Sequence, residues 1–392
     1  TQTLALMSSM AALPLLRNGS LTWSPVLRDS PDELMEAISK TIPEDFFEAV
    51  QLEITQRLSA FTDGIQAYQS AARNDRPPEP PVIWQSGAAR LLDYGATIEA
   101  AKPGLPILVV PSLVNRGYIL DLTEDRSLLR DLAKQGLRPL LMDWGSPGTE
   151  EKSYTLTGYI TGSLQNAFDH IREHSGSAPV LMGYCMGGDL TLALAARNPG
   201  QIPALVLMAT PWDFQAGQEA YLPILAAMAP ALESMIQALG LLPVDVLQAM
   251  FAGLNPGGPG IKFRNFANLS LASAQAQTFI ALEDWLNDGV PLAGPVAREC
   301  LFEWYLQNTP ATGQWRIAGD VVNPADITAP SLVVVPDTDY IVPPEGAKML
   351  ANLIPGAQLK MVKAGHIGMV AGGRARSALY APLVKWLHGV LS

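Results

Sequence analysis

The chain has 392 residues, 48% of them hydrophobic, and a formal net charge of −11. The acidic balance argues against a nucleic-acid partner, and the lack of any run of eighteen uncharged apolar residues argues against a membrane span. The only two cysteines, Cys185 and Cys300, exclude a disulfide framework and fit a reducing, cytoplasmic compartment.

The N-terminal 81 residues are predicted to form a helical arm that ends in a proline-rich linker. Residues 4–16 resemble a signal-peptide core without a basic region before it, and we interpret them as a docking or disordered segment. The following residues repeat apolar positions at spacings of three and four, with Asp29 or Ser30 as N-cap and Pro31 in the first turn, which indicates helices. The linker DRPPEPP spans 75–81. The arm either packs on the rest of the protein or docks a partner or polymer surface.

Residues 82–213 and 326–392 alternate short apolar segments with helical patterns, which indicates a doubly wound, mostly parallel sheet of the α/β class. The predicted buried strands are LPILVVPSLV (105–114), RPLLMDWG (138–145), PVLMGYC (179–185), IPALVLMATPWDF (202–214), APSLVVVP (329–336) and AQLKMV (357–362). The predicted helices between them include 122–136, 155–176 and 186–200, and a closing helix covers 378–392.

Between these two stretches, residues 214–325 lose the alternation and are rich in Met, Leu, Pro, Phe and Trp. An apolar helical insertion at this place belongs over the carboxyl ends of the strands, where ligands of parallel sheets bind. We therefore predict that residues 214–325 form a cap or lid on the core.

The segment Gly183-Tyr184-Cys185-Met186-Gly187 has the G-x-nucleophile-x-G form of a nucleophile elbow. A predicted strand precedes it and a helix rich in small residues follows, which is the context that such a turn requires. The glycines make room for neighbouring backbone while the nucleophile takes a strained conformation. Cys185 is therefore the predicted nucleophile, and the alternative is a buried structural thiol.

His366 is the predicted base, and Asp339 or Asp337 is the acid that orients it. His366 follows a predicted strand in a glycine-bounded turn, and both aspartates follow the strand before it. The order nucleophile, acid, histidine is typical of the α/β-hydrolase fold, with all three residues at carboxyl ends of strands. The remaining histidines are interpreted as surface or structural residues: His170, His174 and His388.

Backbone N–H groups are expected to stabilise an oxyanion beside the nucleophile. One belongs to Met186 at the start of the helix, and the second to Val114, with Leu113 as the alternative, in the turn after the first parallel strand. Arg116 in the same turn either meets an anionic phosphate or carboxylate of a ligand or forms a salt bridge with Asp121 or Glu124.

A cysteine nucleophile also indicates which kind of compound donates the acyl group. A thiol paired with histidine ionises readily and is strongly nucleophilic. Transfer from a thioester to cysteine gives another thioester, so this step is nearly balanced in free energy and leaves the acyl group activated for transfer to a hydroxyl. Cys185 therefore favours a thioester-dependent acyltransferase over a simple esterase.

Residues 82–390 resemble the polyhydroxyalkanoate synthases. The resemblance rests on the co-linear segments PSLVNRGYILDLTEDRSLLRDLAKQGL, LLMDWGSP, YITGSL, GYCMGG, MATPWDF, DYIVPP and GHIGMV. The DWG and VPP forms are most similar to the short synthases that work with an accessory subunit. By this resemblance Cys185 matches the family nucleophile, His366 the base, and Asp339 the aspartate that activates the 3-hydroxyl of the incoming unit or orients the histidine.

The resemblance implies (R)-3-hydroxyacyl-CoA as substrate, a growing polyester on the cysteine and CoA as product, with no cofactor and no metal. It also implies a homodimer, an accessory synthase subunit as partner, and a location in the cytoplasm or at the polyester granule surface. The family usually has histidine where this chain has Tyr340, and tyrosine does not carry a proton near neutral pH. Tyr340 is therefore expected to affect the efficiency of polymerisation but not the triad of Cys185, His366 and Asp339. Two alternatives stay open: a cysteine-type intracellular polyester depolymerase or acyl-CoA thioesterase, and a non-enzymatic granule-associated protein.

Overall fold

The structure of the protein is a computed structural model that describes most of the chain. The described residues are 2–20, 31–98 and 104–391. The predicted N-cap residues Asp29 and Ser30 lie outside the described residues.

Contacts divide the chain into two units, Thr1–Arg73 with Gly257–Ile280 and Asn74–Pro256 with Ala281–Ser392. Residues 257–280, which the sequence analysis assigns to the cap, therefore group with the N-terminal helices. The division into arm, core and cap otherwise stays a prediction.

The first unit is helical, as the spacing of its apolar residues predicts. Its helices are Gln2–Arg17, Pro31–Lys40, Pro43–Ser70 and Gly258–Ala267, and the helix Ala274–Asn287 begins in it. Residues 4–16 are thus helical, which argues against a disordered segment, and the alternative of a docking segment stays a prediction.

Two helices of this unit, Pro43–Ser70 and Gly258–Ala267, pack at close range. Gly64 in the middle of the longer helix has no room for a Cβ beside the carbonyl of Phe263. Phe61 and Tyr68 lie edge-on to the Phe263 ring, with centroids 6.0 and 5.9 Å away. A glycine inside a helix, normally unfavourable, here permits aromatic packing.

The second unit contains an eight-stranded sheet. Its strands are β1 Val82–Ser86, β2 Ala89–Asp93, β3 Leu105–Val110, β4 Leu137–Asp143, β5 Val180–Tyr184, β6 Leu205–Met208, β7 Ser331–Pro336 and β8 Gln358–Val362. They lie in the order β1-β2-β4-β3-β5-β6-β7-β8. The pairs β1–β2 and β2–β4 are antiparallel, and all the others are parallel. The predicted α/β fold with a mostly parallel sheet is confirmed.

Helices cover both faces of this sheet, so its inner strands are buried on both sides, whereas the edge strands β1 and β8 are partly exposed. Along β3, Leu108 and Val110 belong to one hydrophobic core, whereas Ile107 and Val109 belong to the other. The helices are Leu128–Lys134, Gln165–Ser175, Met186–Arg197, Pro344–Leu353, His366–Ala371 and Ala381–Leu391, with π-helical turns at Tyr159–Leu164 and Arg376–Tyr380. Because β3, β5, β7 and β8 all run in the same direction, their carboxyl ends share one edge of the sheet, and the candidate residues lie at this edge.

The part of the predicted cap that belongs to this unit is mainly helical. Its helices are Leu222–Leu239, Val244–Leu254 and Gly294–Arg298, followed by the π-helical segment Glu299–Leu306. Short antiparallel pairs join Leu241–Leu242 to Leu292–Ala293 and Arg316–Ile317 to Asp320–Val321.

The helix Leu222–Leu239 was not singled out in the sequence. Among the described residues it alone is long and apolar enough to cross a membrane by length and composition, and 17% of it is buried. It carries Glu233, which forms an ion pair with Arg298 at 2.8 Å. The expectation that the chain has no membrane span therefore stays a prediction.

Two local features differ from the sequence predictions. The predicted helix 122–136 begins only at Leu128, because Asp121–Thr123 and Arg126–Ser127 first form a short hairpin. Ser127 caps the shortened helix by accepting a hydrogen bond from the Arg130 N–H at 3.0 Å. The hairpin of β1 and β2 was not predicted at all.

Glycines bring the helix Met186–Arg197 against the sheet. A Cβ on Gly187 would overlap the carbonyl oxygen of Val110, and a Cβ on Gly183 would overlap the backbone of Gly188. A Cβ on Gly188 would overlap the side chain of Thr210. The start of this helix can therefore approach β3 and β6 only because these positions lack side chains.

Gly188→Ala is expected to destabilise the protein by about 1–3 kcal/mol, the usual cost of overpacking. Thr210→Ala removes the Oγ1 and Cγ2 atoms nearest to the new methyl group, so the double variant should recover part of this loss. Urea denaturation of the two single variants and the double variant measures the coupling. A double variant whose loss equals the sum of the single losses would show that Thr210 is not the obstacle.

Candidate active site

Cys185 occupies the turn between β5 and the helix Met186–Arg197, as predicted. Its backbone has φ 56° and ψ −134°, a conformation that non-glycine residues rarely adopt. Two hydrogen bonds hold it, from the Cys185 N–H to the Met208 carbonyl at 2.9 Å and from the Gly188 N–H to the Cys185 carbonyl at 2.8 Å. The side chain is partly exposed and free to meet a ligand.

His366 and Asp339 come together in the structure. His366 begins the helix His366–Ala371 after β8, and Asp339 lies in the loop after β7. The Nδ1 atom of His366 lies 2.7 Å from Oδ2 of Asp339. The other carboxylate oxygen, Oδ1, accepts hydrogen bonds from the N–H groups of Ile341 at 2.8 Å and Val342 at 3.0 Å. Both oxygens of Asp339 are thus occupied, and the carboxylate orients the imidazole.

His366 interacts electrostatically with Cys185 as well as with Asp339. Burial alone would lower the pKa of His366, but the negative charges of Cys185 and Asp339, with hydrogen bonds to both, raise the pKa to about 10. The ring is therefore a cation at neutral pH. The arrangement fits a nucleophile–base pair that is oriented by a carboxylate.

Asp337, the other candidate acid, points away from this pair. It is exposed, and its Oδ1 accepts a hydrogen bond from the Ala364 N–H at 3.1 Å. Tyr340, at the position where the family usually has histidine, is 67% exposed. It lines neither of the cavities at Cys185.

The other histidines lie on the helices Gln165–Ser175 and Ala381–Leu391. His170 and His174 stack on each other with ring centroids 4.0 Å apart, and His388 is exposed on the last helix. Across residues 2–20, 31–98 and 104–391, no group of three or more metal-binding side chains occurs.

Arg116 forms a salt bridge, but not with the acids that the sequence suggested. It lies 3.5 Å from Asp288 and donates a hydrogen bond to Ser146 Oγ at 3.3 Å. Asp121 is held by Arg130 at 2.8 Å. The acid at Arg116 thus comes from a distant part of the chain, which local spacing cannot reveal.

Two cavities meet at Cys185, with volumes of about 110 and 80 Å³. The larger, which we call the apolar cavity, is lined mainly by hydrophobic side chains that include Leu247, Met250 and Trp304. The smaller, the His366 cavity, also contains Arg116. Five residues line both cavities: Ser112, Val114, Cys185, Phe251 and Ile341. The thiol thus borders a hydrophobic cavity on one side and a cavity with polar and charged side chains on the other.

The predicted oxyanion donors lie beside these cavities. Met186 is the first residue of its helix, where backbone N–H groups lack intrahelical acceptors and attract negative charge. The Val114 N–H donates a hydrogen bond to Ser112 Oγ at 3.1 Å. An oxyanion would therefore compete with that hydroxyl for the Val114 donor, so Ser112 belongs to the site although the sequence analysis did not include it.

Two further residues at the turn were missed. Tyr184 is buried, and its hydroxyl donates a hydrogen bond to the carbonyl of His366 at 3.2 Å. Asp189 lies one helical turn after Cys185 and is 0% exposed. An acidic residue within the apolar run MGGDLTLALAA was a signal that could have identified Asp189.

The surroundings of Asp189 favour the neutral form of its carboxyl group. Within the part of the chain that the structure describes, neither of its side-chain oxygens has a hydrogen-bond partner. Burial, followed by the negative charge of Cys185, raises the pKa of Asp189 well above its usual range. A buried carboxyl without a cation takes up a proton because an isolated buried charge is costly.

Sequence comparisons place the chain among known proteins. The family described as alpha/beta hydrolase fold matches residues 106–372, and the family described as the N-terminus of poly-beta-hydroxybutyrate polymerase (PhaC) matches residues 77–132. Three similar proteins are named poly(3-hydroxyalkanoate) polymerase subunit PhaC. The protein of Haloferax mediterranei is 31% identical over 85% of this chain and 68% of its own length. Those of Synechocystis sp. and Allochromatium vinosum are 30% and 31% identical, over 86% and 74% of this chain and 91% and 81% of their own lengths.

Asp189→Asn is expected to stabilise the protein increasingly as the pH rises. The folded state holds a proton on Asp189 that the unfolded chain releases above about pH 4, so the free energy of unfolding falls as the pH rises through this window. Asparagine has the same shape and does not titrate. Urea denaturation at pH 4, 6 and 8 measures the difference from the wild type, with Asp337→Asn as the exposed control. A difference that stays constant across this range would show that Asp189 is ionised in the folded protein.

Proposed function

The chain belongs to the poly(3-hydroxyalkanoate) polymerase family, and from this premise we propose that it polymerises (R)-3-hydroxyacyl-CoA into polyester with release of CoA. The observation that carries the proposal is the cysteine at the elbow, paired with His366 and reached by two cavities. A thiol in this position forms a thioester with the acyl group, which keeps that group activated for transfer.

In the acylation step the Cys185 thiolate attacks the thioester carbonyl of the substrate. The oxyanion that forms is stabilised by the N–H groups of Met186 and Val114. When the carbonyl–sulfur bond to CoA breaks, the His366 imidazolium gives its proton to the departing thiolate. The products are an acyl-Cys185 thioester, free CoA and a neutral imidazole.

In the elongation step the neutral His366 accepts the proton of the 3-hydroxyl of an acceptor chain end or monomer. The hydroxyl oxygen attacks the acyl-Cys185 carbonyl, an ester bond forms, and the bond to sulfur breaks. Cys185 returns as the thiolate beside the imidazolium. Because a thioester is converted into an ester, this step is favourable.

Asp339 acts on His366 and not on the hydroxyl in this mechanism. Its Oδ2 is bonded to the imidazole and its Oδ1 to two backbone N–H groups, so both oxygens are already engaged. It keeps the Nε2 atom directed at the thiol and stabilises the imidazolium, the role that carboxylates play in related triads.

The two cavities are suited to bind different parts of the substrate. The apolar cavity suits the acyl group and the nascent polyester, which are hydrophobic. The His366 cavity contains polar side chains that include Asn115, Arg116 and Gln248, and suits the CoA portion. A hydrophobic surround also limits the access of water to the acyl-enzyme, which favours polymerisation over the depolymerase or thioesterase reaction.

The proposal extends to partners. The relatives are named as subunits, which supports assembly with an accessory subunit, and we include a homodimer as in the family. The helix Leu222–Leu239 exposes Ile224, Met228 and Leu239 by 55%, 39% and 52%. This apolar surface suits contact with the insoluble product, in keeping with a location at the polyester granule.

Purified protein supplied with (R)-3-hydroxybutyryl-CoA is expected to release CoA, detected with a thiol reagent, and to form insoluble polyester. Cys185→Ala should reduce CoA release to the background rate because the acyl acceptor is lost. CoA release with free 3-hydroxybutyrate and no polymer would instead identify a hydrolase. Substantial turnover by Cys185→Ala would remove Cys185 from its proposed role.

Asp339→Ala should slow acylation and elongation by similar factors, roughly 10³–10⁴ as for other triad carboxylates, because His366 serves both steps. Single-turnover CoA release measures acylation, and polymer formation in the steady state measures elongation. Asp337→Asn is the matched control and should retain activity. A selective loss of elongation in Asp339→Ala would show that this carboxylate activates the hydroxyl directly.

A further inference from the structure

Tyr184 connects β5, the strand that leads to the nucleophile Cys185, with His366, the proposed base. It is the last residue of β5, directly before Cys185, and its side chain is 4% exposed. Its hydroxyl donates a hydrogen bond to the backbone carbonyl of His366 at 3.2 Å, across 182 positions of sequence. Its ring lies against the imidazole, with centroids 5.1 Å apart and planes inclined by 34°. One side chain thus contacts both the backbone and the ring of His366.

The segment around His366 has little helical stability of its own, so its position depends on contacts with the rest of the protein. His366 begins a helix of only six residues, His366–Ala371, and helices this short have little stability of their own. Gly365 precedes His366 and Gly368 lies within the helix, and both add conformational freedom. Asp339 holds Nδ1 of the imidazole but does not hold the backbone from which the ring projects.

We propose that Tyr184 is a positioning residue that keeps the imidazole of His366 aligned with the thiol of Cys185. Because Tyr184 and Cys185 are adjacent in the chain, a small movement of β5 carries the thiol and the hydroxyl together. The hydrogen bond then transmits the movement to His366, so the separation between thiol and imidazole is preserved.

The chemistry of the phenol suits this role. Burial, followed by the negative charges of Cys185 and Asp339, raises the pKa of Tyr184 well above its usual value. The hydroxyl therefore stays protonated and remains a donor around neutral pH. A buried tyrosine hydroxyl normally has a partner, and here that partner is the carbonyl of the base.

The chain offers a matched control in Tyr380. Its hydroxyl donates a hydrogen bond to the Val370 carbonyl, which belongs to the same short helix, and its side chain is 1% exposed. Tyr380 therefore anchors the far end of the helix without contacting the base. A purely structural contribution should be similar for both tyrosines, whereas a positioning effect should be confined to Tyr184.

The inference rests on the proposed pairing of Cys185 with His366, and its test does not require polymerase activity. The rate of Cys185 carboxamidomethylation by iodoacetamide is measured from pH 5 to 10 in the full chain, with peptide mass spectrometry to separate Cys185 from the buried Cys300. Tyr184→Phe removes only the hydroxyl and should lower the rate at pH 7 roughly three- to tenfold, the equivalent of one hydrogen bond. Tyr184→Leu, which also removes the ring, should show a larger effect.

Tyr380→Phe should leave the alkylation profile within twofold of the wild type, although both phenylalanine variants lower the melting temperature by similar amounts. An unchanged profile in Tyr184→Phe, or an equal change in Tyr380→Phe, would overturn the inference. If the wild type releases no CoA from (R)-3-hydroxybutyryl-CoA but alkylation still depends on Tyr184, the positioning role stands and the proposed function fails. If CoA is released, kcat of Tyr184→Phe should fall while KM is unchanged.

Discussion

The strained turn at Cys185 is the constraint on which the rest of the site depends. A φ of 56° at a non-glycine residue persists only where the surroundings over-determine it. Here the backbone of Cys185 is bonded to β6 through Met208, and the missing side chains at Gly183 and Gly187 let other backbone segments press against the turn. The packing of the sheet therefore fixes the backbone of the turn and, with it, the direction in which the side chain of Cys185 leaves the backbone.

A buried imidazolium is the second element of the site, and its cost is offset by its neighbours. Removing a cation from water is unfavourable unless opposite charges and hydrogen bonds replace the water. His366 has Cys185 on one side and Asp339 on the other, and Asp339 is itself fixed by the N–H groups of Ile341 and Val342. Asp189 lies nearby without such compensation and remains neutral. The site thus concentrates its charge on the atoms that exchange protons.

The π-helical segment Glu299–Leu306 shows how the insertion after β6 contributes to the reaction chamber. It supplies the hydrophobic wall behind the thiol through residues that include Leu301, Trp304 and Tyr305. A wall of this kind excludes water and accommodates an apolar acyl chain, whereas the opposite side of Cys185 opens toward His366 and Arg116. The same thiol can therefore face a hydrophobic product and a polar leaving group at the same time.

The sequence by itself determined the parallel strands, the strand–turn–helix at Cys185 and the positions of His366 and the two candidate aspartates. Each of these depends on a local pattern: short apolar runs, glycines at a turn, and polar residues where a strand ends. Only the tertiary structure paired Arg116 with Asp288, brought Tyr184 to His366 and grouped residues 257–280 with the N-terminal helices, and it placed Asp339, the aspartate that the family resemblance favoured, at His366. These outcomes depend on contacts between residues far apart in the chain, and a sequence pattern contains only the spacing along it.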